Sequence, residues 1–305
     1  LQEKNYIAIR KSQINFYKDV ALYYIEGASF VLYKPAGKSM TDMRLKEERH
    51  PTELYIHQDD RVAAIRALQK SFNRHIASNI KKGNAAAVKS MLCQLVEETL
   101  TEPRSGTLQA LPETVDILVS GYSKNPGIIK TLATISSKDY STVIHSVNVM
   151  ALTLGFCFYS KLPLRETKRL GLSALLHDVG KIEIPGHILR APRRLTDKEF
   201  KVMKRHPKIG ESIIKFKNDL DGGIARGALE HHEKLDGSGY PRGIQQISYA
   251  GQLLGIIDCY EALTNEERPY RRASSPLETL RLIKGDVEAG KFNRNIFEKF
   301  CYSLI

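Results

Sequence analysis

Two kinds of side chain in this sequence could together hold and use a cation. Nine histidines are present. Six of them, His145, His177, His187, His206, His231 and His232, occur in stretches of helical character. His177 is followed directly by Asp178 at the end of the apolar run in "ALLHDVGK", His231 and His232 are adjacent in "HHEKLDGSGYP", and Asp258 interrupts the apolar run "LLGIIDCYEALT". A carboxylate in such surroundings costs several kcal/mol unless it is paired or bound to a cation. Imidazole nitrogens with carboxylate oxygens suit a divalent transition metal, and one carboxylate can bridge two ions. With His145 in "YSTVIHSVNVMAL" and His206 in "MKRHPKIG", five histidines and two aspartates are spread over five helical segments. His50, His57 and His75 have no acid or histidine at ligand spacing and read as surface or helix-face residues.

Such ligands need facing helices that aim them inward. Apolar residues at three- and four-residue steps predict helices over about 113–135, 139–160, 165–177, 196–218, 222–232, 248–264 and, with breaks, 276–304. Upstream, Val62, Ile65, Leu68, Phe72 and Ile76 mark an amphipathic helix beginning after an Asp59 or Asp60 cap, and a second covers roughly 84–101. "TEPRSGTLQALPE" breaks the pattern. Residues 1–58 differ: "VALYYI" and "FVLYK" around "EGAS" form a hairpin signal, with "YIAI" and "ELYIH" as further strands. The fold class is α+β overall, an all-α bundle preceded by a small mixed α/β unit. No internal repeat is visible.

Composition narrows the partners. The 305 residues are 42% hydrophobic and 26% charged, ordinary for a globular protein. The longest apolar run, 147–159, is shorter than the roughly 20 residues a bilayer span needs, so no membrane span is expected. The stretch after Leu1 has no apolar core of an export signal. Cys93, Cys157, Cys259 and Cys301 lack CxxC spacing and read as structural thiols of a reducing cytoplasm. The net charge of +12 favours anionic partners, nucleotides among them, though the basic residues alternate with acids and form no nucleic-acid-binding block.

Six motifs, "HSVNV", "LLHDVGKI", "MKRHP", "HHEKLDGSGYP", "IIDCYEALT" and "RPYRRA", resemble in order and approximate spacing those of the HD-GYP phosphodiesterases, within the HD metal-dependent phosphohydrolases. The resemblance covers about residues 127–305. It implies an HD-fold catalytic domain over 127–305 and a regulatory or sensory region over 1–126, made of the unit 1–58 and a helical connector 59–126. One metal would be held by His145, His177, Asp178 and Asp258, the other by Asp178, His206, His231 and His232, with Asp178 bridging. Two divalent ions, iron foremost and manganese also compatible, would activate a bridging hydroxide that cuts the phosphodiester bonds of cyclic di-GMP. Zinc usually takes fewer ligands.

Lys181 matches the family's phosphate-contacting lysine, and Asp178 with Lys181 carries the catalytic role. Tyr240 offers an aromatic face to substrate. Gly237 and Gly239 are expected to allow positive φ in the signature loop. Arg268 and Arg271 match positions that grip the second phosphate, with a planar fork suited to it, although Glu266 and Glu267 stand where one acid is usual. Ser141 replaces a glutamate that in some members holds a third metal, so two metals are expected. His187 stands where members often have Asp and is read as structural. The resemblance further implies a cytoplasmic location, a GGDEF diguanylate cyclase partner at the GYP loop and a homodimer. A receptor that binds without turnover, or a phosphodiesterase for a mixed cyclic dinucleotide, are the alternatives.

Overall fold

Aromatic and β-branched residues make the first elements strands: β1 (Tyr6–Ile9), β2 (Leu22–Glu26), β3 (Ser29–Lys34) and β4 (Leu54–His57). They form one antiparallel sheet in the order β1-β4-β2-β3. The β2–β3 turn uses Gly27 at φ +62°, the positive φ that a tight hairpin asks of glycine. Leu22, Leu54 and Ile56 are buried. The computed structural model describes residues 5–9, 14, 17–40, 51, 53–122, 127–128, 131–132, 141–216, 220–265 and 274–305. Two compact units are present, residues 1–75 and 76–305.

Among the described residues the α-helices are α1 (Arg61–Lys81), α2 (Ala85–Leu100), α3 (Leu111–Tyr122), α4 (Thr142–Tyr159), α5 (Leu164–Leu176), α6 (Gly186–Leu189), α7 (Asp197–Met203), α8 (His206–Lys215), α9 (Gly222–Glu230), α10 (Tyr249–Thr264), α11 (Pro276–Glu288) and α12 (Arg294–Ser303). The predicted α+β class, with four strands ahead of a helical bundle, is the one observed. Four helices close a ring, α4 on α5, α5 on α9, α9 on α10 and α10 on α4. A 3-10 helix, Val179–Glu183, links the end of α5 to the surface of α8. By length and composition α4 would suffice to cross a bilayer, yet most of it, including Val147, Met150, Leu154 and Phe156, is buried within the bundle.

One expectation is corrected. The single helix predicted over 196–218 is two, α7 and α8, parted at Lys204 and Arg205. Pro207 in the first turn of α8 has no N–H to give to a preceding turn, so a helix can start there but not run through. Most of the predicted segment beyond Tyr122 up to 135 lies outside the described residues.

Gly180 sets how closely the 3-10 helix approaches α8. A Cβ built on it would lie 2.0 Å from the carbonyl oxygen of His206 and 2.5 Å from the Gly210 nitrogen. Gly180→Ala is therefore expected to cost about 3 kcal/mol by overpacking and to lower Tm. Gly285→Ala in α11, where the new methyl group meets nothing within 4 Å, is expected to raise stability by up to about 1 kcal/mol through helix propensity. Thermal melts of the two variants check the pair.

Candidate metal centre

Each candidate ligand stands at a helix end or on an inward helix face. Ser141 caps α4, its hydroxyl accepting from the Ile144 N–H at 3.3 Å, which sets His145 in the first turn. His177 closes α5, and the chain leaves the helix at Asp178. His206 opens α8, His231 closes α9, and Asp258 lies on α10.

The seven side chains converge. Asp178 Oδ2 is 3.5 Å from Nε2 of both His145 and His177, while its Oδ1 is 3.3 Å from Nε2 of His206 and 3.8 Å from that of His231. Its two oxygens thus face two different pairs of imidazoles. Asp258 Oδ1 lies 3.0 Å from His145 Nε2 and 4.0 Å from His177 Nε2, and Oδ2 lies 3.9 Å from His232 Nδ1. Asp178, His206, His231 and His232 each offer an atom within 4.8 Å of the others, as do His145, His177 and Asp178.

This donor set fits divalent cations on three counts. The Nδ1–H groups of His177, His206 and His231 donate to the carbonyls of Ala174, Met203 and Ala228, three residues back, at 2.7, 2.8 and 2.8 Å. That fixes the tautomer and leaves a lone pair on each Nε2. Second, Nε2 atoms face each other at 3.2 Å for His145 and His177 and at 3.3 Å for His206 and His231. Ligands bonded to one ion at about 2.1 Å stand about 3 Å apart in an octahedron and about 3.4 Å in a tetrahedron. Third, Asp178 is 1% exposed and its Oδ1 has no hydrogen-bond donor, since the nearest Nε2 atoms bear lone pairs.

Electrostatics keeps most of these groups in their ligating form. Burial, reinforced by the neighbouring His232, holds His231 well below the ordinary imidazole value, and burial likewise lowers His177. Burial also dominates at His232, where Asp258 opposes it only in part, and its pKa falls to about 3. Burial would raise Asp178, but the Lys181 ammonium paired with it outweighs burial and holds the carboxyl well below its usual range. At His145 burial is overcome by hydrogen bonds to Asp258 and Glu261, and the pKa rises to about 9.

Around this cluster are residues that the sequence pattern did not single out. Glu261, one helical turn after Asp258, hydrogen-bonds Nδ1 of His145 and accepts from Asn148 Nδ2 at 2.8 Å and Asn265 Nδ2 at 3.0 Å. Its i,i+3 spacing from Asp258 was the available signal. Glu233 accepts from the backbone N–H groups of Arg242, Gly243 and Ile244 at 2.8, 2.9 and 3.2 Å. Glu230 accepts from the Arg242 guanidinium at 2.6 Å and the Ser248 N–H at 2.8 Å. These two buried acids fasten the signature loop. Gly237 takes φ +80°, as expected. Gly239 does not adopt positive φ; it is needed for close approach instead, since a Cβ there would meet the Lys234 nitrogen at 2.4 Å and the His232 oxygen at 2.5 Å.

Lys181 reaches the centre, its ammonium paired with Asp178 Oδ2. Tyr240 stacks on His232 with centroids 4.6 Å apart at 28°; burial raises its phenol pKa. His187 is exposed on α6, apart from the cluster. Arg268 and Arg271 lie outside the described residues.

The lowered imidazoles make a pH prediction for metal-free protein. Below about pH 6.5 the unfolded chain takes up protons at His177, His231 and His232 that the folded chain refuses, so stability falls as pH falls. Each contributes up to about 1.4 kcal/mol per pH unit. The raised His145 acts oppositely: its contribution is present below about 6.5 and lost as pH rises through about 9. Melts in chelator should show Tm falling between pH 7 and 5, with a shallower slope in His231→Asn. Glu261→Gln, which weakens the partner of His145, is expected to lower metal affinity about 10- to 100-fold, read by competition with a chromogenic chelator.

A family model described as HD domain matches residues 123–296. The chain is 30% identical over 233 residues to a Pseudomonas aeruginosa protein named cyclic di-GMP phosphodiesterase, covering 76% of this chain and 54% of that protein. It is 32% identical over 168 residues to a Vibrio cholerae protein named 3'3'-cGAMP-specific phosphodiesterase 1, covering 54% and 38%. The chain thus spans about half, or less, of the length of these relatives. Among solved structures, an HDG"Y"P protein from Bdellovibrio bacteriovorus superposes with a TM-score of 0.66 at 17% identity, over 97% of this chain and 98% of that one, a likeness of fold. The family match, with the "HHEKLDGSGYP" loop folded beside a cluster of five histidines and two aspartates, leads to one assignment: the chain belongs to the HD domain family.

Proposed function

We propose that the chain is a metal-dependent phosphodiesterase that hydrolyses cyclic di-GMP. The observation that carries this reading is Asp178, a buried carboxylate with one oxygen toward His145 and His177 and the other toward His206 and His231. His145, His177, Asp178 and Asp258 would hold one ion, and Asp178, His206, His231 and His232 the other. Bound there, two divalent ions would supply a hydroxide nucleophile at neutral pH and offset charge on the phosphoryl group. Iron is favoured by the resemblance, and manganese suits the same nitrogen and oxygen donors.

The protein's own residues do the rest. Neutral imidazoles leave two negative aspartates against two dications, a positive centre that draws a phosphodiester. Lys181, already at Asp178, turns its ammonium to a phosphoryl oxygen. Tyr240 flanks the site and presents a protonated phenol, and Arg268 and Arg271 take the second phosphate. Attack of water on phosphorus with loss of the ribose 3' oxygen opens the ring to a linear dinucleotide, and a second cut gives mononucleotides. In the same reading, residues 127–305 perform this chemistry in the cytoplasm under regulation by residues 1–126. A GGDEF cyclase meets the loop, and the chain pairs as a homodimer. The Vibrio cholerae relative named for 3'3'-cGAMP favours a mixed cyclic dinucleotide as the second substrate to try.

Protein loaded anaerobically with iron, or with manganese, is expected to release linear dinucleotide from cyclic di-GMP. Asp178→Asn should fold and lose at least about a hundred-fold in rate. Binding without any product would point to a receptor, and turnover confined to the mixed dinucleotide would reassign the substrate.

A further inference from the structure

Next to the metal centre, α7 holds a phenylalanine out in solvent. Phe200 is 42% exposed, and the turn before it is fastened twice. Thr196 and Glu199 form a capping box, and Arg193 donates to both Glu199 oxygens at 2.7 Å. The Phe200 ring stands edge-on to Tyr240, with centroids 6.2 Å apart at 79°, and Tyr240 stacks on His232. An aromatic path therefore runs from a candidate ligand to the surface. Lys204, four residues on and so on the same helix side, places Nζ 4.8 Å from the Phe200 centroid and 5.7 Å from that of Tyr240. Among the described residues it has no carboxylate partner.

Core packing does not account for a ring left in water after a fastened turn, nor for an ammonium held over two rings with no acid partner among the described residues. A nucleobase accounts for both. Flat bases stack on exposed aromatic rings beside phosphate sites, and the contact is worth about ten-fold or more in affinity per base. The ammonium can exchange its cation–aromatic contacts for a charge-assisted hydrogen bond at the base edge. Guanine presents two acceptors there, O6 and N7, where adenine replaces one with an amino donor.

Resting on the reading of the site as a cyclic-dinucleotide phosphodiesterase, we propose that Phe200, Lys204 and Tyr240 form a wall that binds one nucleobase of the substrate and, through Lys204, selects guanine. The rings pack against the base while its phosphate occupies the centre formed around Asp178.

The chain contains no tryptophan, so Phe200→Trp installs a single indole that retains stacking. In manganese-loaded full chain carrying this change, GMP should quench the emission saturably and more tightly than AMP. Lys204→Met should erase that preference when introduced beside the indole. Phe200→Ala should raise KM for cyclic di-GMP about ten-fold with little change in kcat. Tyr302→Ala, which removes a ring 61% exposed on α12, should leave KM unchanged. Absence of saturable quenching, or an unchanged KM in Phe200→Ala while wild type turns over cyclic di-GMP, overturns the wall and leaves the phosphodiesterase standing. Retained GMP preference in the lysine variant overturns the selection of guanine. Quenching by GMP in a protein that cleaves no cyclic dinucleotide would overturn the catalytic reading and leave the wall.

Discussion

The buried carboxylate of Asp178 is the constraint around which the bundle is arranged. At 1% exposure an unpaired charge there would cost several kcal/mol, and a single ammonium, that of Lys181, meets only one of its oxygens. The other oxygen faces imidazole lone pairs. A bundle this tightly packed retains such an arrangement only where positive charge completes it. The closed ring of α4, α5, α9 and α10 brings that charge its donors from four directions, and α8 adds a fifth through the glycine contact at Gly180.

A second set of carboxylates sits behind the first. Glu261 joins α10 to α4 through His145 and Asn148. Glu230 and Glu233, both at the end of α9 where His231 and His232 lie, tie down the backbone and the guanidinium of the loop from Arg242 to Ser248. The loop and the histidine pair are therefore parts of one hydrogen-bonded body. Tyr240 is carried on that body, and its stacking on His232 follows from the return of the chain, whose Tyr240 N–H donates to the His232 carbonyl at 3.1 Å.

What could be read from the residues alone depended on how improbable each was in its setting. Asp178 and Asp258 interrupt apolar helices, and a charge in such a place needs a reason, so they were visible. Helices from Thr142 to Leu176 and from Tyr249 to Thr264 came from plain periodicity. Glu261, Glu230 and Glu233 were not visible because an acid near a helix end is usually solvated, and only the tertiary packing shows these buried. Phe200 and Lys204 escaped for the opposite reason: each is ordinary on a surface helix, and their meeting with Tyr240 joins segments forty residues apart that the sequence does not connect. The break between α7 and α8 was missed because apolar spacing continues across it, although Pro207 marked the place.

The carbonyls of Ala174, Met203 and Ala228, each three residues before the imidazole it holds, separate two tasks. His206, the first residue of α8, is aimed by Met203 at the end of α7, but for His177 and His231 aiming is local: each ring carries its direction with its own helix end, whatever that helix is attached to. Gathering is global and belongs to the bundle. Helix ends of this kind could drift in tilt, or be rejoined by different connections, and still deliver a nitrogen pointed along the same line from the backbone. His145 differs, because its orienting partner comes from α10. At that junction, as at the one between α7 and α8, a shift between helices would turn the ring as well as displace it.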